Sequence, residues 1–134
     1  MPSDEQTGTL LHHSIERHAV ERPDSVALWW QGDAMNYASL YRNAVSTGTR
    51  LAASGAAGDR IAVLSWNCPQ FVELIYGATA AGRILVPLNA RLAPAELIHQ
   101  LQSAGVTMLF GDRELLQPVL THANFAPATQ TVYL

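Results

Sequence analysis

A chain of 134 residues, 49% of them apolar, suits one ordinary domain and is too short for two. It buries roughly two-thirds of its unfolded surface, so neither a metal nor a disulfide is needed to stabilise it, and a single cysteine, Cys68, builds no disulfide framework. A net charge of −3 argues against nucleic acid, no apolar run approaches the roughly 20 residues that span a bilayer, and a polar, acidic start unlike a targeting segment points to a cytoplasmic protein.

From Thr9 the spacing of Leu11, Ile15 and His18/Ala19 predicts a short amphipathic helix that Pro23 closes. SVALWWQGDAMNY then reads as a hairpin turning at residues 31–33, since Gly32 and Asp33 suit a tight turn. Asn36 is placed to cap a helix with Leu40, Ala44, Thr47 and Leu51 on one face, ending near Gly55.

An alternation follows. GDRIAVLSW is a turn and a buried-type strand, 61–65. NCPQFVELIYGATAAG is a helix with Asn67 and Gln70 spaced as a capping box, Pro69 in its first turn and Gly82 past its end. RILVPL is a strand, PAELIHQLQSAG a helix ending at Gly105, and VTMLFG a strand. DRELLQPVLTHA is a helix that Pro118 kinks or ends, and TQTVYL starts a further strand.

Strands after Gly58 are continuous apolar runs, as in parallel sheets covered on both faces, and helices of about a dozen residues between them are crossovers. The expected fold is therefore α/β: a mainly parallel sheet with helices on both faces, preceded by a helix and a β-hairpin, in one unit over 1–134. The last strand stops at Leu134 with nothing to cover it, which suggests an incomplete N-terminal subdomain.

All eight basic residues are arginine, with no lysine in the chain. Any mechanism that needs a phosphate-loop lysine, a Schiff base or a mobile ammonium is excluded for this chain alone. GDRIAVLSWN also lacks Gly-x-Gly-x-x-Gly, the phosphate turn of a dinucleotide site.

ERPDSVAL, NYASL and GDRIAVLSWNCPQFVELIYGATAAGRILVPLNARLAPAEL resemble, in order and spacing, the N-terminal part of acyl-adenylate-forming (AMP-binding) ligases. The pieces that carry the resemblance are Gly58-Asp59-Arg60, Asn67 with Pro69, Gly82, Pro87-Leu88-Asn89, Arg91-Leu92 and Glu96-Leu97, within about residues 10–110. The Asn-Ala-Arg-Leu ending looks most like the fatty acyl-CoA and aryl-CoA ligases. Ser39 and Cys68 stand where the family often has Glu and Ser.

The resemblance implies a parent enzyme that activates a carboxylate with ATP and Mg²⁺ through an acyl-adenylate, then passes the acyl group to coenzyme A. It also implies a Ser/Thr/Gly-rich phosphate loop ending in Pro-Lys-Gly and a C-terminal lysine, neither of which this sequence contains. The segment alone is thus expected to be inactive and to need no cofactor. Its expected partners are the remainder of the ligase chain, a small-molecule carboxylate and, through a dimer surface, a second copy. A stand-alone α/β binding module that lacks catalysis is the alternative.

Candidate site residues follow the carboxyl ends of two strands, where open α/β sheets bind ligands. Trp66, Asn67, Asn89 and Arg91 would line the rim of an acyl or coenzyme A channel. The plainer alternative has Asn89 satisfying turn backbone and Arg91 pairing with Glu96. Cys68 lies near a helix N-terminus, where a thiolate is favoured, or packs as a small buried residue. His12, His13 and Glu16 share a helical turn, but two ligands on one face make no metal site. Trp29 and Trp30 should point to opposite faces, leaving one exposed for a contact surface or both covered. No catalytic, cofactor-binding or metal-ligating residue is assigned.

Overall fold

A computed structural model describes residues 10–126 and 129–134. Thr9 and the rest of the polar start lie outside the described residues. The elements run α1 (Leu11–Glu21), β1 (Val26–Trp30), β2 (Asp33–Asn36), α2 (Tyr37–Ala53), β3 (Arg60–Leu64), α3 (Pro69–Ala80), β4 (Ile84–Pro87), α4 (Pro94–Ala104), β5 (Val106–Gly111), α5 (Arg113–Leu120) and β6 (Gln130–Tyr133).

β1 and β2 form the antiparallel hairpin, with Gln31 and Gly32 at positive φ in its two-residue turn, the geometry that matches the strand twist. Asn36 accepts a hydrogen bond from the Ser39 amide at 2.8 Å and so caps α2. The capping box foreseen at Asn67 and Gln70 does not form. Cys68 takes the N-cap position of α3 and no side chain caps that helix. Pro69 at the first turn removes one of the orphan amides such a cap would serve, which lowers its value. Pro118 sits within α5, which ends two residues later at Leu120.

β4-β3-β5-β6 is the strand order, and every neighbouring pair is parallel. Alternation along β3 builds two cores. Ala62 and Leu64 join Leu109 beneath α4 and α5, where Leu97, Ile98, Leu101, Leu116 and Val119 cover them. Ile61 and Val63 point the other way and join Met108 and Phe110 beneath Leu51 of α2 and Leu74 of α3. A strand buried on both faces needs apolar residues at every position, hence its unbroken run. A third cluster, Ile15, Leu40 and Ala44, packs α1 and the hairpin onto α2.

The amino end of the sheet is tied by Arg83, whose side chain is 1% exposed. Its guanidinium reaches Asp59 Oδ2 at 3.2 Å and donates to the Leu51 carbonyl at 2.8 Å. Asp59 Oδ2 also accepts from the Ala56 amide at 2.9 Å. The Gly58-Asp59-Arg60 stretch thus marks a structural joint between the C-terminus of α2, β3 and β4.

Tyr41 donates to Glu16 Oε1 at 3.3 Å, joining α2 to α1. Burial first, then the Glu16 charge and that hydrogen bond, raise its phenol above the ordinary value of 10.0. A phenol whose folded pKa is raised contributes stability below pH 10, and that contribution is lost as pH rises through the folded value. Absorbance titration at 295 nm should show one tyrosine ionising late, moved part of the way back by Glu16→Gln. No difference between the two proteins would refute the contact.

Candidate site at the carboxyl edge of the sheet

In this strand order the chain leaves β3 for β4 on one side and returns to β5 on the other. The topological switch point therefore lies between the carboxyl ends of β3 and β5, the place where doubly wound sheets hold ligands. Here the gap is occupied by the protein's own carboxylate. Asp112, which follows β5, accepts hydrogen bonds at one oxygen, Oδ2, from Ser65 Oγ at 2.9 Å and from the Trp66 amide at 2.9 Å. Ser65 is buried, its single hydroxyl proton is shared between Asp112 and the Trp66 carbonyl at 2.7 Å, and Cys68 Sγ lies 3.6 Å from its oxygen.

Trp66 and Asn67, just after β3, are exposed, Trp66 to 56%. Asn89 and Arg91, after the adjacent β4, are exposed as well. Because β3 and β4 are parallel neighbours with Val63 opposite Pro87, all four residues come out on one edge. The Asn89 side chain accepts from the Arg91 amide at 3.0 Å and its carbonyl from the Leu92 amide, so it holds the turn. Arg91 does not pair with Glu96. Glu96 instead turns back to the Ala93 amide at 2.8 Å, and the Arg83–Asp59 pair is the only ion pair among the described residues. An acid in the first helical turn is better placed serving free amides than reaching out to a neighbouring loop. The Arg91 guanidinium is left in solvent.

Trp30 was missed as a member of this edge. Its indole Nε1 donates to the Asn67 carbonyl at 3.0 Å, so the hairpin braces the loop at a second point besides Asp112. A 37-residue separation leaves no local signal that could have shown it. Covering of both hairpin tryptophans does not occur: Trp29 is 71% exposed and Trp30 39%. A four-residue partner strand offers too little surface to bury them.

A triphosphate does not fit the switch-point gap. Its two donors, the Trp66 amide and the Ser65 hydroxyl, are already bound to Asp112, and a carboxylate repels phosphate. Glu16 is engaged by Tyr41, and no group of three His, Cys, Asp or Glu among the described residues is arranged to hold a metal ion. A cavity of about 360 Å³ lies between α2, α3 and β6, lined by Arg50, Glu73, Met108, Phe110, Val132 and Tyr133 among others. Among the described residues no helix is long and apolar enough to cross a membrane.

The model of the AMP-binding enzyme family matches residues 15–133. This chain belongs to that family. It is 34% identical over 118 residues to the fatty acid–[acyl-carrier-protein] ligase ScoC of Streptomyces coeruleorubidus, covering 87% of this chain and 22% of that protein. It is 36% identical over 104 residues to the feruloyl-CoA synthase of an Amycolatopsis species, covering 77% and 21%. Among solved structures, the O-succinylbenzoate coenzyme A synthetase of Bacillus subtilis with ATP and magnesium superposes with a TM-score of 0.77 at 25% identity, over 89% of this chain and 32% of that one. The chain thus spans about a fifth of the length of the curated relatives it matches.

Proposed function

We propose that this chain is the N-terminal segment of an ATP-dependent carboxylate–CoA ligase that activates a fatty or aryl acid as its acyl-adenylate and then forms the thioester. The family match over residues 15–133 carries this reading, supported by relatives named as ligases of fatty and aromatic acids. The segment supplies the first parallel sheet and one wall of the substrate channel. Trp66 offers a flat apolar surface, Asn67 and Asn89 hydrogen bonds, and Arg91 a free cation for a carboxylate or phosphate. ATP, Mg²⁺ and coenzyme A belong to the parent enzyme, whose phosphate loop and lysine-bearing domain this segment does not provide. A cytoplasmic setting suits an ATP-consuming enzyme with a single cysteine.

Alone, the chain should catalyse no acid-dependent ATP–pyrophosphate exchange. Substituted for the matched stretch of the feruloyl-CoA synthase, it should support ferulate-dependent exchange and formation of feruloyl-CoA. Exchange by the isolated chain above a boiled control would refute its inactivity. A folded chimera with no exchange would remove the ligase reading.

A further inference from the structure

We propose that Asp112 is a positioning residue that holds residues 65–68 in place and so fixes how Trp66 and Asn67 meet the substrate; the substrate part of this rests on the ligase reading above. Asp112 stands at the N-cap of α5, a position where aspartate normally binds the first amides of its own helix. It makes no such bond. Its backbone carbonyl serves the Leu115 and Leu116 amides instead, and its side chain crosses the gap to residues 46 and 47 positions earlier in the chain.

The loop it reaches has few other restraints. α3 begins at Pro69 with no side-chain cap, and among the described residues the following helix reaches the loop through the Phe71 amide, which donates to the Cys68 carbonyl at 3.1 Å. From the hairpin comes one bond, Trp30 Nε1 to the Asn67 carbonyl. From β5 comes Asp112, which takes the Trp66 amide and the Ser65 hydroxyl together. The two clamps grip the 65–66 and 67–68 peptides, on either side of the peptide that joins Trp66 to Asn67, and both of these side chains are exposed. Positioning of this kind affects chemistry strongly, because a displacement of about 1 Å in a rim residue can lower rate by about a hundredfold.

Both bonds converge on a single carboxylate oxygen. A carboxamide oxygen in the same place can accept both, more weakly than a carboxylate does, so Asp112→Asn keeps the clamp's geometry while Asp112→Ala removes it. Amide hydrogen exchange on the whole chain separates the cases. In Asp112→Ala the Trp66 amide should exchange about tenfold faster or more, while β3 and α3 amides keep their protection. In Asp112→Asn the Trp66 amide should stay close to wild type. An unchanged Trp66 amide in Asp112→Ala overturns the clamp, as does a uniform acceleration across the sheet in both variants.

The feruloyl-CoA synthase chimera reads the consequence. Asp112→Ala should raise KM for ferulate or coenzyme A by more than it lowers kcat, and Asp112→Asn should restore it. Unchanged kinetics beside a loosened loop would overturn the positioning role while leaving the ligase reading intact. If the chimera is inactive, it is the ligase reading that fails, and the exchange experiment still decides the clamp.

Discussion

Replacing Arg83 by Met lowers the unfolding free energy of this chain by about 2 kcal/mol, the range for hydrogen bonds made by a charged group. The guanidinium is almost wholly buried and serves two acceptors in different elements, Asp59 and the Leu51 carbonyl. A methionine fills similar volume but takes the charged donor from that carbonyl, which keeps the Ser54 amide and hydroxyl, each at 3.1 Å. Asp59 suffers less, because it is 37% exposed and keeps its bond from the Ala56 amide. Asp59→Asn should therefore cost no more than about 1 kcal/mol. Arg83→Lys should recover only part of the loss, since one ammonium on a shorter fork cannot span both acceptors as a guanidinium does. Urea unfolding of the three variants measures the order directly. Equal losses in Arg83→Met and Asp59→Asn would show that the ion pair matters and the helix-end contact does not.

A larger side chain at Gly77 should be as damaging, for a steric reason. α2 and α3 cross closely enough that a Cβ there would lie 2.9 Å from the Ala44 carbonyl and 2.9 Å from the Thr47 side chain. Neither obstacle is the free end of a flexible chain, so the helices must part. Elsewhere in a helix, Gly→Ala gains up to about 1 kcal/mol of propensity. Here the strain of overpacking, about 1–3 kcal/mol, outweighs it. Gly77→Ala should lose about 1 kcal/mol net and Gly77→Leu about 3 kcal/mol or more, by thermal or urea unfolding. A stabilised Gly77→Ala would mean that the crossing relaxes freely.

Two further features bear on how this edge of the sheet works. The four candidate rim residues follow the two neighbouring strands β3 and β4 at one side of the switch point, while the switch point itself is filled by Asp112. Ligand recognition by this chain would then happen beside the gap, through side chains, and not within it through a phosphate-binding turn. The stretch 84–98 takes its meaning from that arrangement. Asn89 spends its polar groups on the turn between β4 and the residues before α4, so handing strand over to helix is its first task. Arg91, which Glu96 does not engage because it folds back to the Ala93 amide, is the residue of this stretch on which the proposed rim depends.

Much of the fold was legible because its signals are local. Unbroken apolar runs at 61–65 and 106–111, helices of about a dozen residues between them, Asn36 before a helix and Gly105 after one each state a backbone preference within a few residues. Those preferences, with the two-sided burial they imply, were enough to give a parallel α/β sheet behind a helix and a hairpin. The ordered motifs were enough to suggest the family. Local reasoning failed where the helix start shifted or two groups competed for one partner. Asn67 and Gln70 have the spacing of a capping box, but α3 starts one residue later than that spacing requires, with Cys68 at its N-cap and Pro69 at its first position. Arg91 and Glu96 have the charges for a pair, but free amides at the start of α4 draw Glu96 away.

The sequence by itself determined which segments are strands and helices, which faces are apolar, and that no lysine is available for phosphate chemistry. Tertiary structure alone decided that Asp112 reaches back 46 residues to the Trp66 amide, that Trp30 braces Asn67 across 37, and that Arg83 closes the end of a helix 32 residues earlier. Propensity and patterning depend on neighbours along the chain. A hydrogen-bond partner depends on which donors and acceptors meet once strand order is set, and that order is fixed by packing across the sheet.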